Sequence, residues 1–275
     1  FQAVRHLDEG YLHVNMIHSC DGNVQDQTLE VDYRGIFPQD ADHKLLLNIE
    51  GFGQNPARGI SAVLASNKQS VEFEASRSYV LDTFLSYLYQ GVVHILMGTD
   101  HILFLVVLLL SCVLRREDGK WTVQNSLSPV LKKAAWIVTA FTLAHSITLT
   151  ATALGWLSPN IGWVEIGIAM SVLLTAMNNI WPLVVRLGWI TFAFGLLHGV
   201  GFASVLSDLG LSSEHQLVSI LAFNLGVELG QLGILLVVLP LLFLIRNFSL
   251  YSLLVLKSGS FIIGLVALNW AIQRL

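Results

Sequence analysis

The sequence predicts a polytopic α-helical membrane protein with about six transmembrane helices, preceded by a small all-β domain. Of its 275 residues, 54% are hydrophobic and 12% are charged, and the mean hydropathy is +0.65, whereas soluble proteins carry about 25% charged residues. Residues 1–77 hold 17 charged residues, and the much longer part 78–275 also holds 17. This composition excludes a purely soluble enzyme. The net charge of −4 excludes a nucleic-acid-binding protein, which needs a basic surface.

Residues 1–77 have the pattern of a β-sandwich-like domain. Polar and apolar residues alternate in 29–33 and 71–73, and short apolar runs occupy 45–49 and 60–64. These patterns are typical of strands, and we expect four or five of them. No motif marks a chemistry in this domain, but it offers a surface for a partner protein. Cysteines occur once in each part of the chain, so no disulfide is expected between them.

Residues 78–275 contain six apolar stretches. About 20 apolar residues are needed for a helix to cross the hydrocarbon core of a bilayer, and each stretch meets this length. They cover residues 86–114, 133–155, 161–181, 184–206, 216–245 and 251–272. Lys and Arg are absent from 134–185 and from 187–245, as expected for spanning helices.

The basic residues predict the orientation in the membrane. The connector 115–133 holds five Lys and Arg residues, whereas the connectors 155–160 and 207–215 hold none. Because loops rich in Lys and Arg stay in the cytoplasm, we expect 115–133 on the cytoplasmic side and residues 1–77 outside.

Ionisable residues occur near the middle of four predicted helices. Such residues are costly in a bilayer and by default mark a functional site. The candidates are His94, Asp100, His101, His145, His198 and Glu228. Their similar depth predicts that they face one another around a polar cavity. His94 and His101 are seven residues apart, so on one helix they would share a face about two turns apart.

Further polar residues accompany these candidates. We expect four of them to hydrogen-bond the ligands or line a pathway: Thr142, Ser146, Asn224 and Gln231. Glu165 lies about one turn inside the predicted outer boundary, where it either joins the pathway or reaches the membrane surface. Two GxxxG spacings, Gly195–Gly199 and Gly226–Gly230, predict close packing of helices.

The candidate ligand types favour particular metals. Imidazole together with carboxylate suits Ni²⁺, Co²⁺ or Zn²⁺. No cysteine lies near the centre of the predicted spans, which disfavours Cu(I). An oxygen cage for Mg²⁺ or Ca²⁺ would not use four histidines.

Four sequence blocks resemble the HupE/UreJ family of hydrogenase- and urease-associated membrane proteins. The blocks are His94-Ile-Leu-Met-Gly-Thr-Asp100-His101, Thr139-Ala-Phe-Thr-Leu-Ala-His145-Ser146, Phe194-Gly-Leu-Leu-His198-Gly and Asn224-Leu-Gly-Val-Glu228-Leu-Gly-Gln231. The first resembles the His-x4-Asp-His motif of nickel/cobalt transporters. The resemblance covers about residues 85–245 and implies a nickel or cobalt permease of the bacterial inner membrane, in the subgroup with an extracytoplasmic N-terminal domain. It implicates as metal ligands His94 and the five residues that lie nearest mid-span, namely Asp100, His101, His145, His198 and Glu228.

The sequence favours a permease for a divalent transition metal, with Ni²⁺ first, and leaves two alternatives open. One is an intramembrane zinc-dependent hydrolase, in which zinc activates water, Glu228 acts as the base and Ser146 holds the oxyanion. The other is a membrane assembly or sensor protein with a structural metal. Nothing in the chain resembles a Walker A loop, so direct use of ATP by this chain is not expected. The helices could also assemble into an oligomer.

Overall fold

The computed structural model describes residues 2–5, 12–15, 28–33, 44–49, 60–74, 80–117, 120–181, 187–208 and 213–275. The chain divides into two compact units. One comprises Phe1–Tyr87 and Val205–Ala222, and the other comprises Leu88–Ser204 and Phe223–Leu275. The sequence-based boundary between residues 77 and 78 stays a prediction. The expectation that Cys20 and Cys112 form no disulfide concerns one residue, Cys20, that lies outside the described residues. Cys112 is a buried free cysteine.

Six short strands precede the helices in the first unit. They are β1 Gln2–Arg5, β2 Leu12–Asn15, β3 Thr28–Asp32, β4 Lys44–Ile49, β5 Ile60–Ala65 and β6 Ser70–Glu74. The strands form three antiparallel pairs among the described residues: β1 with β2, β3 with β6, and β4 with β5. The four strands predicted from alternation and apolar runs are therefore confirmed as β3 to β6.

Alternating side chains of these strands build a small apolar core. In β3, Leu29 and Val31 are half-buried, and the residues on either side of each are exposed. Ala62 and Phe73 are the buried residues of this core, with the partly buried members Leu29, Val31, Leu47, Ile49 and Val71 around them. Burial of one strand face against another pair is how small β domains gain stability.

Among the residues that the structure describes after β6, most are helical, and four-residue strands form one hairpin. The helices are α1 Val80–Met97, α2 Thr99–Leu110, α3 Leu127–Ala153, α4 Ile161–Ile180, α5 Leu187–Asp208, α6 Ser213–Ile245 and α7 Gly259–Gln273, with a π-helical segment, Tyr251–Ser258, leading into α7. The hairpin pairs β7 Leu114–Glu117 with β8 Lys120–Val123, inside the predicted cytoplasmic connector.

Five helical segments among the described residues are long and apolar enough to cross a membrane. They are Val80–Met97, Leu127–Ala153, Ile161–Ile180, Leu217–Ile245 and Tyr251–Gln273. Two apolar helices are shorter, namely α2 and the Gly188–Gly201 part of α5. The chain is thus an integral membrane protein by the length and composition of its helices.

The first predicted stretch, 86–114, is wrong as a single helix. It consists of α1 and α2, which are interrupted at Gly98. The backbone of Gly98 is extended, with φ −72° and ψ 94°, so the helical geometry cannot continue through it. Mean hydropathy over 86–114 hides this break, because the polar run Thr99-Asp100-His101 after Gly98 is short and the residues beyond it are apolar.

Side chains from three other segments hold the C-terminal end of α2. A helix of 12 residues is only about 18 Å long and cannot span the bilayer alone. Its last carbonyl groups, and that of the next residue, accept hydrogen bonds from the neighbouring segments. The donor–acceptor pairs are Asn179 Nδ2 to Val107 O at 2.7 Å, Tyr251 Oη to Leu110 O at 3.0 Å, and Lys133 Nζ to Ser111 O at 2.7 Å. These bonds replace the intrahelical partners that the last turn lacks.

Helices α3 and α5 meet through glycine, as the GxxxG spacing predicted. A Cβ atom added at Gly195 would lie 2.6 Å from Phe141 O, and one at Gly199 would lie 2.2 Å from His145 O. The second spacing is confirmed too, since a Cβ at Gly226 would lie 2.1 Å from Leu88 O of α1. Backbone therefore packs directly on backbone at both helix crossings.

Replacing Gly199 with alanine should lower the stability of the protein markedly. The new methyl group collides with His145 O and also with Thr148 Oγ1, at 2.3 Å, and overpacking of this kind costs about 1–3 kcal/mol. Gly233→Ala is the matched control, because no atom lies within 4 Å of its added Cβ and alanine favours a helix by about 0.5–1 kcal/mol. Thermal unfolding in detergent should show a lower midpoint for Gly199→Ala alone. Equal midpoints for both variants would contradict the close crossing of α3 and α5.

Candidate functional site

The break between α1 and α2 brings two histidines together. Gly98 N donates to His94 O at 3.0 Å, and Ile102 N donates to Gly98 O at 3.0 Å, so each helix is closed off at Gly98. The ring centres of His94 and His101 lie 4.7 Å apart. The expectation that these residues sit two turns apart on one helix is therefore wrong. They lie on two helices, one on each side of Gly98, and their rings meet edge to face.

Helices α3 and α5 add one histidine each to this pair. The ring centre of His101 lies 6.1 Å from that of His145 and 4.9 Å from that of His198. The rings of His94 and His145 are 6.3 Å apart. His101 thus contacts the other three histidines and stands at the centre of what we call the histidine cluster, namely His94, His101, His145 and His198.

The histidine cluster is enclosed by the protein. His101 is 7% exposed, His198 is 1% exposed and His145 is fully buried. Aromatic rings pack against it: Phe141 stacks on His145 with 5.8 Å between centres, Phe104 lies 5.0 Å from His198, and Phe223 lies 5.5 Å from His94. Imidazole groups in such surroundings have little access to water, so their polar atoms need partners within the site.

Asp100 fixes one of the rings. Its Oδ1 accepts from the backbone N of His101 at 2.9 Å and lies 3.0 Å from His101 Nδ1. An ionised carboxylate only accepts hydrogen bonds, so Nδ1 carries the proton of a neutral His101 ring. The lone pair of His101 is then on Nε2, which turns away from Asp100. This is the common arrangement in which a carboxylate orients a metal-binding imidazole.

Several ring nitrogens of the histidine cluster lack a hydrogen-bond partner. Within the described residues, this holds for His101 Nε2, His198 Nδ1 and both ring nitrogens of His145, all of them buried. Buried polar atoms without partners are uncommon and call for an explanation. An ion that binds at this place would supply the missing partner.

The histidines nevertheless do not yet form a coordination sphere. In the part of the chain that the structure describes, no group of three His, Cys, Asp or Glu side chains is arranged to hold a metal ion. Two imidazoles bound to one ion at about 2.1 Å place their ring centres roughly 4.5–6.5 Å apart, and the cluster spacings of 4.7–6.3 Å fall in that range. The separations of the ring centres are therefore compatible with a shared ligand set.

A small cavity adjoins the histidine cluster. Its volume is about 10 Å³, and most of its lining is apolar, with His101 and Gln231 as the polar residues. The apolar residues are Ile95, Phe104, Leu105, Leu108, Ile137, Val138 and Phe141. A space of this size holds roughly one water molecule.

The remaining predicted site residues lie around the histidine cluster rather than in it. Thr142 Oγ1 donates to Gln231 Oε1 at 2.6 Å, which joins α3 to α6 beside the cavity. Asn224 Oδ1 is buried and has no hydrogen-bond partner among the described residues, and Ser146 is half-buried. Glu228 is exposed on α6, so its predicted part in metal binding stays a prediction.

Glu165 has a different partner. Its carboxylate lies 3.5 Å from Arg274 Nε, and its backbone oxygen accepts from Arg274 Nη1 at 3.3 Å. The contact ties the start of α4 to the end of α7. Of the two interpretations left open for Glu165, a part in the pathway or a side chain that reaches the membrane surface, its exposed position favours the second.

Sequence reasoning missed three aromatic residues that pack on the histidine cluster, namely Phe104, Phe141 and Phe223. Phe104 follows His101 by three residues and Phe141 precedes His145 by four. These spacings place each pair on one helix face and could have identified both aromatic residues.

Ser171 was noted from the sequence only as a packing residue or as lining of the inner exit, because small polar residues are common in membrane helices. Its Oγ lies 2.9 Å from His198 Nε2.

Comparison with known proteins gives one match. A family model described as HupE / UreJ protein matches residues 68–274, which include all four helices that carry the histidine cluster. No curated protein and no solved structure matches the chain.

Proposed function

Because this chain belongs to the HupE/UreJ family, we propose that it is a membrane permease for a divalent transition metal, with Ni²⁺ as the favoured ion and Co²⁺ as the second. The observation that carries the proposal is the histidine cluster. Four imidazoles from four apolar helices meet with ring centres as close as 4.7 Å, and several of their buried nitrogens have no partner within the described residues. Ionisable groups gathered inside a membrane protein are expected to serve an ion pathway.

The donor set supports a transition metal of borderline softness. Neutral imidazole binds Ni²⁺, Co²⁺ and Zn²⁺ well, whereas Mg²⁺ and Ca²⁺ prefer oxygen ligands alone. Asp100 already orients His101 through its Nδ1 and so acts through that ring. His101 contacts the three other histidines, and we propose that an ion passes between them by exchange of imidazole ligands.

The same proposal includes the orientation predicted from the charges. The β7–β8 hairpin carries Arg115, Arg116 and Lys120, and we place it on the cytoplasmic side of a bacterial inner membrane. The strands β1 to β6 then lie outside. The asymmetric distribution of Lys and Arg supports this orientation.

Uptake into liposomes tests the proposed function. Purified protein in liposomes should admit radioactive nickel down a concentration gradient, and protein with His198→Ala should not, because that substitution removes a buried imidazole at 4.9 Å from His101. Liposomes without protein provide the background rate, and elemental analysis gives the metal content of each sample. Tightly bound zinc together with background flux in the wild type would overturn the permease and favour the hydrolase.

A further inference from the structure

A hydroxyl group on α4 contacts the one histidine of α5. Ser171 Oγ lies 2.9 Å from His198 Nε2, and both residues are about 1% exposed. We propose that Ser171 is a positioning residue. It holds His198 in the tautomer with the proton on Nε2 and thereby presents Nδ1 to the metal. This inference rests on the proposed function and deepens it.

The position of the Ser171 proton decides the tautomer. Ser171 Oγ donates to Ile168 O at 2.7 Å, and a hydroxyl group has only one hydrogen to donate. If Ser171 donated to His198 instead, Oγ and the Ile168 carbonyl oxygen would face each other at 2.7 Å with no hydrogen between them. Ser171 Oγ therefore accepts, and His198 Nε2 donates.

The lone pair of His198 must then lie on Nδ1. This atom is buried and has no hydrogen-bond partner among the described residues. His101 shows the opposite tautomer, because Asp100 accepts from its Nδ1 and leaves the lone pair on Nε2. The two rings, 4.9 Å apart, thus offer one Nε2 and one Nδ1.

An Nδ1 ligand differs from an Nε2 ligand in geometry. Nδ1 lies beside Cβ, so an ion bound there sits close to the helix backbone, and the ring cannot swing away without breaking its bond to Ser171. Outer partners of this type typically change metal affinity by about 10- to 100-fold. Ser171 thus has the same relation to His198 that Asp100 has to His101, with a neutral acceptor in place of a carboxylate.

Nitrogen NMR of the metal-free protein tests the tautomer directly. Histidine labelled with ¹⁵N in the rings, measured by solid-state NMR in lipid bilayers, separates protonated from unprotonated ring nitrogens, and the His198→Gln spectrum identifies the signals of His198. We expect the proton on Nε2 in the wild type and a shifted or mixed tautomer in Ser171→Ala. Thr175→Val is the matched control: its hydroxyl also donates to a carbonyl of α4, Ser171 O at 2.7 Å, and its spectrum should keep the wild-type His198 signals.

A nickel titration of the wild type, Ser171→Ala and Thr175→Val measures how the tautomer of His198 affects the affinity for nickel. Ser171→Ala should bind nickel about 10- to 100-fold more weakly, and Thr175→Val should bind within a factor of about two of the wild type. A wild-type proton on Nδ1, or unchanged His198 signals in Ser171→Ala, would overturn the inference whatever the flux. Background nickel flux with the expected tautomer would overturn the proposed function and leave the tautomer assignment standing.

Discussion

Replacing His101 with alanine should abolish nickel uptake and lower the affinity for nickel more than any other single substitution in the membrane helices. His101 contacts His94, His145 and His198, so its replacement removes a ring that all three share as a neighbour. It also leaves the Asp100 carboxylate without the ring that it orients. The loss of nickel affinity should exceed the roughly 10- to 100-fold effect of removing an outer partner. Equilibrium binding to purified protein and uptake into liposomes measure it.

Leu103→Ala is the control for this substitution. Leu103 is half-buried on the same helix, two residues after His101, and its truncation also removes a side chain from α2. The control should lose some thermal stability and keep nickel binding. Equal nickel affinity in His101→Ala and Leu103→Ala would contradict a central position of His101 on the ion's route.

Replacing Gly98 with alanine should impair the histidine cluster without removing any of its rings. A Cβ atom there would lie 2.8 Å from His94 O, 2.9 Å from His101 Nδ1 and 3.3 Å from Asp100 Oδ1. The backbone angles of Gly98 are accessible to alanine, so the cost arises from these contacts. Because the methyl group competes with the bond between Asp100 and His101, nickel affinity should fall about 10- to 100-fold.

The matched control for this change is Gly259→Ala. The nearest atom to its added Cβ is Leu110 Cδ1, at 3.6 Å, an ordinary contact distance. Nickel binding should be unchanged in this variant. If Gly98→Ala also bound nickel like the wild type, the close packing of Gly98 against His94, Asp100 and His101 would not be needed for nickel binding.

The sequence predicted most of the helices and the members of the histidine cluster. Depth along an apolar helix follows from residue number alone, which is why His94, His101, His145 and His198 could be selected before their contacts were known. The close crossings at Gly195, Gly199 and Gly226 were predictable for a similar reason, since spacing determines which residues share a helix face.

Two features could not be predicted because they depend on how helices turn toward one another. The break at Gly98 lies inside a mostly apolar stretch of residues 86–114, and glycine is common within membrane helices. Ser171 contacts His198 only because α4 turns that face toward α5, and sequence spacing within one helix carries no information about its rotation. The same holds for Glu228. The sequence predicted the helix that carries it, but not that its side chain is exposed.

The size of the cavity beside His101 has a consequence for the hydration of the ion. A space of about 10 Å³ accommodates roughly one water molecule, whereas a divalent cation in water carries a shell of about six oxygen ligands. An ion that moves from the histidines into this cavity must leave nearly all of its water behind. Dehydration on that scale is too costly for free diffusion through an open pore. Under the proposed function, an ion on this route would therefore need protein ligands such as the histidines in place of the water it loses.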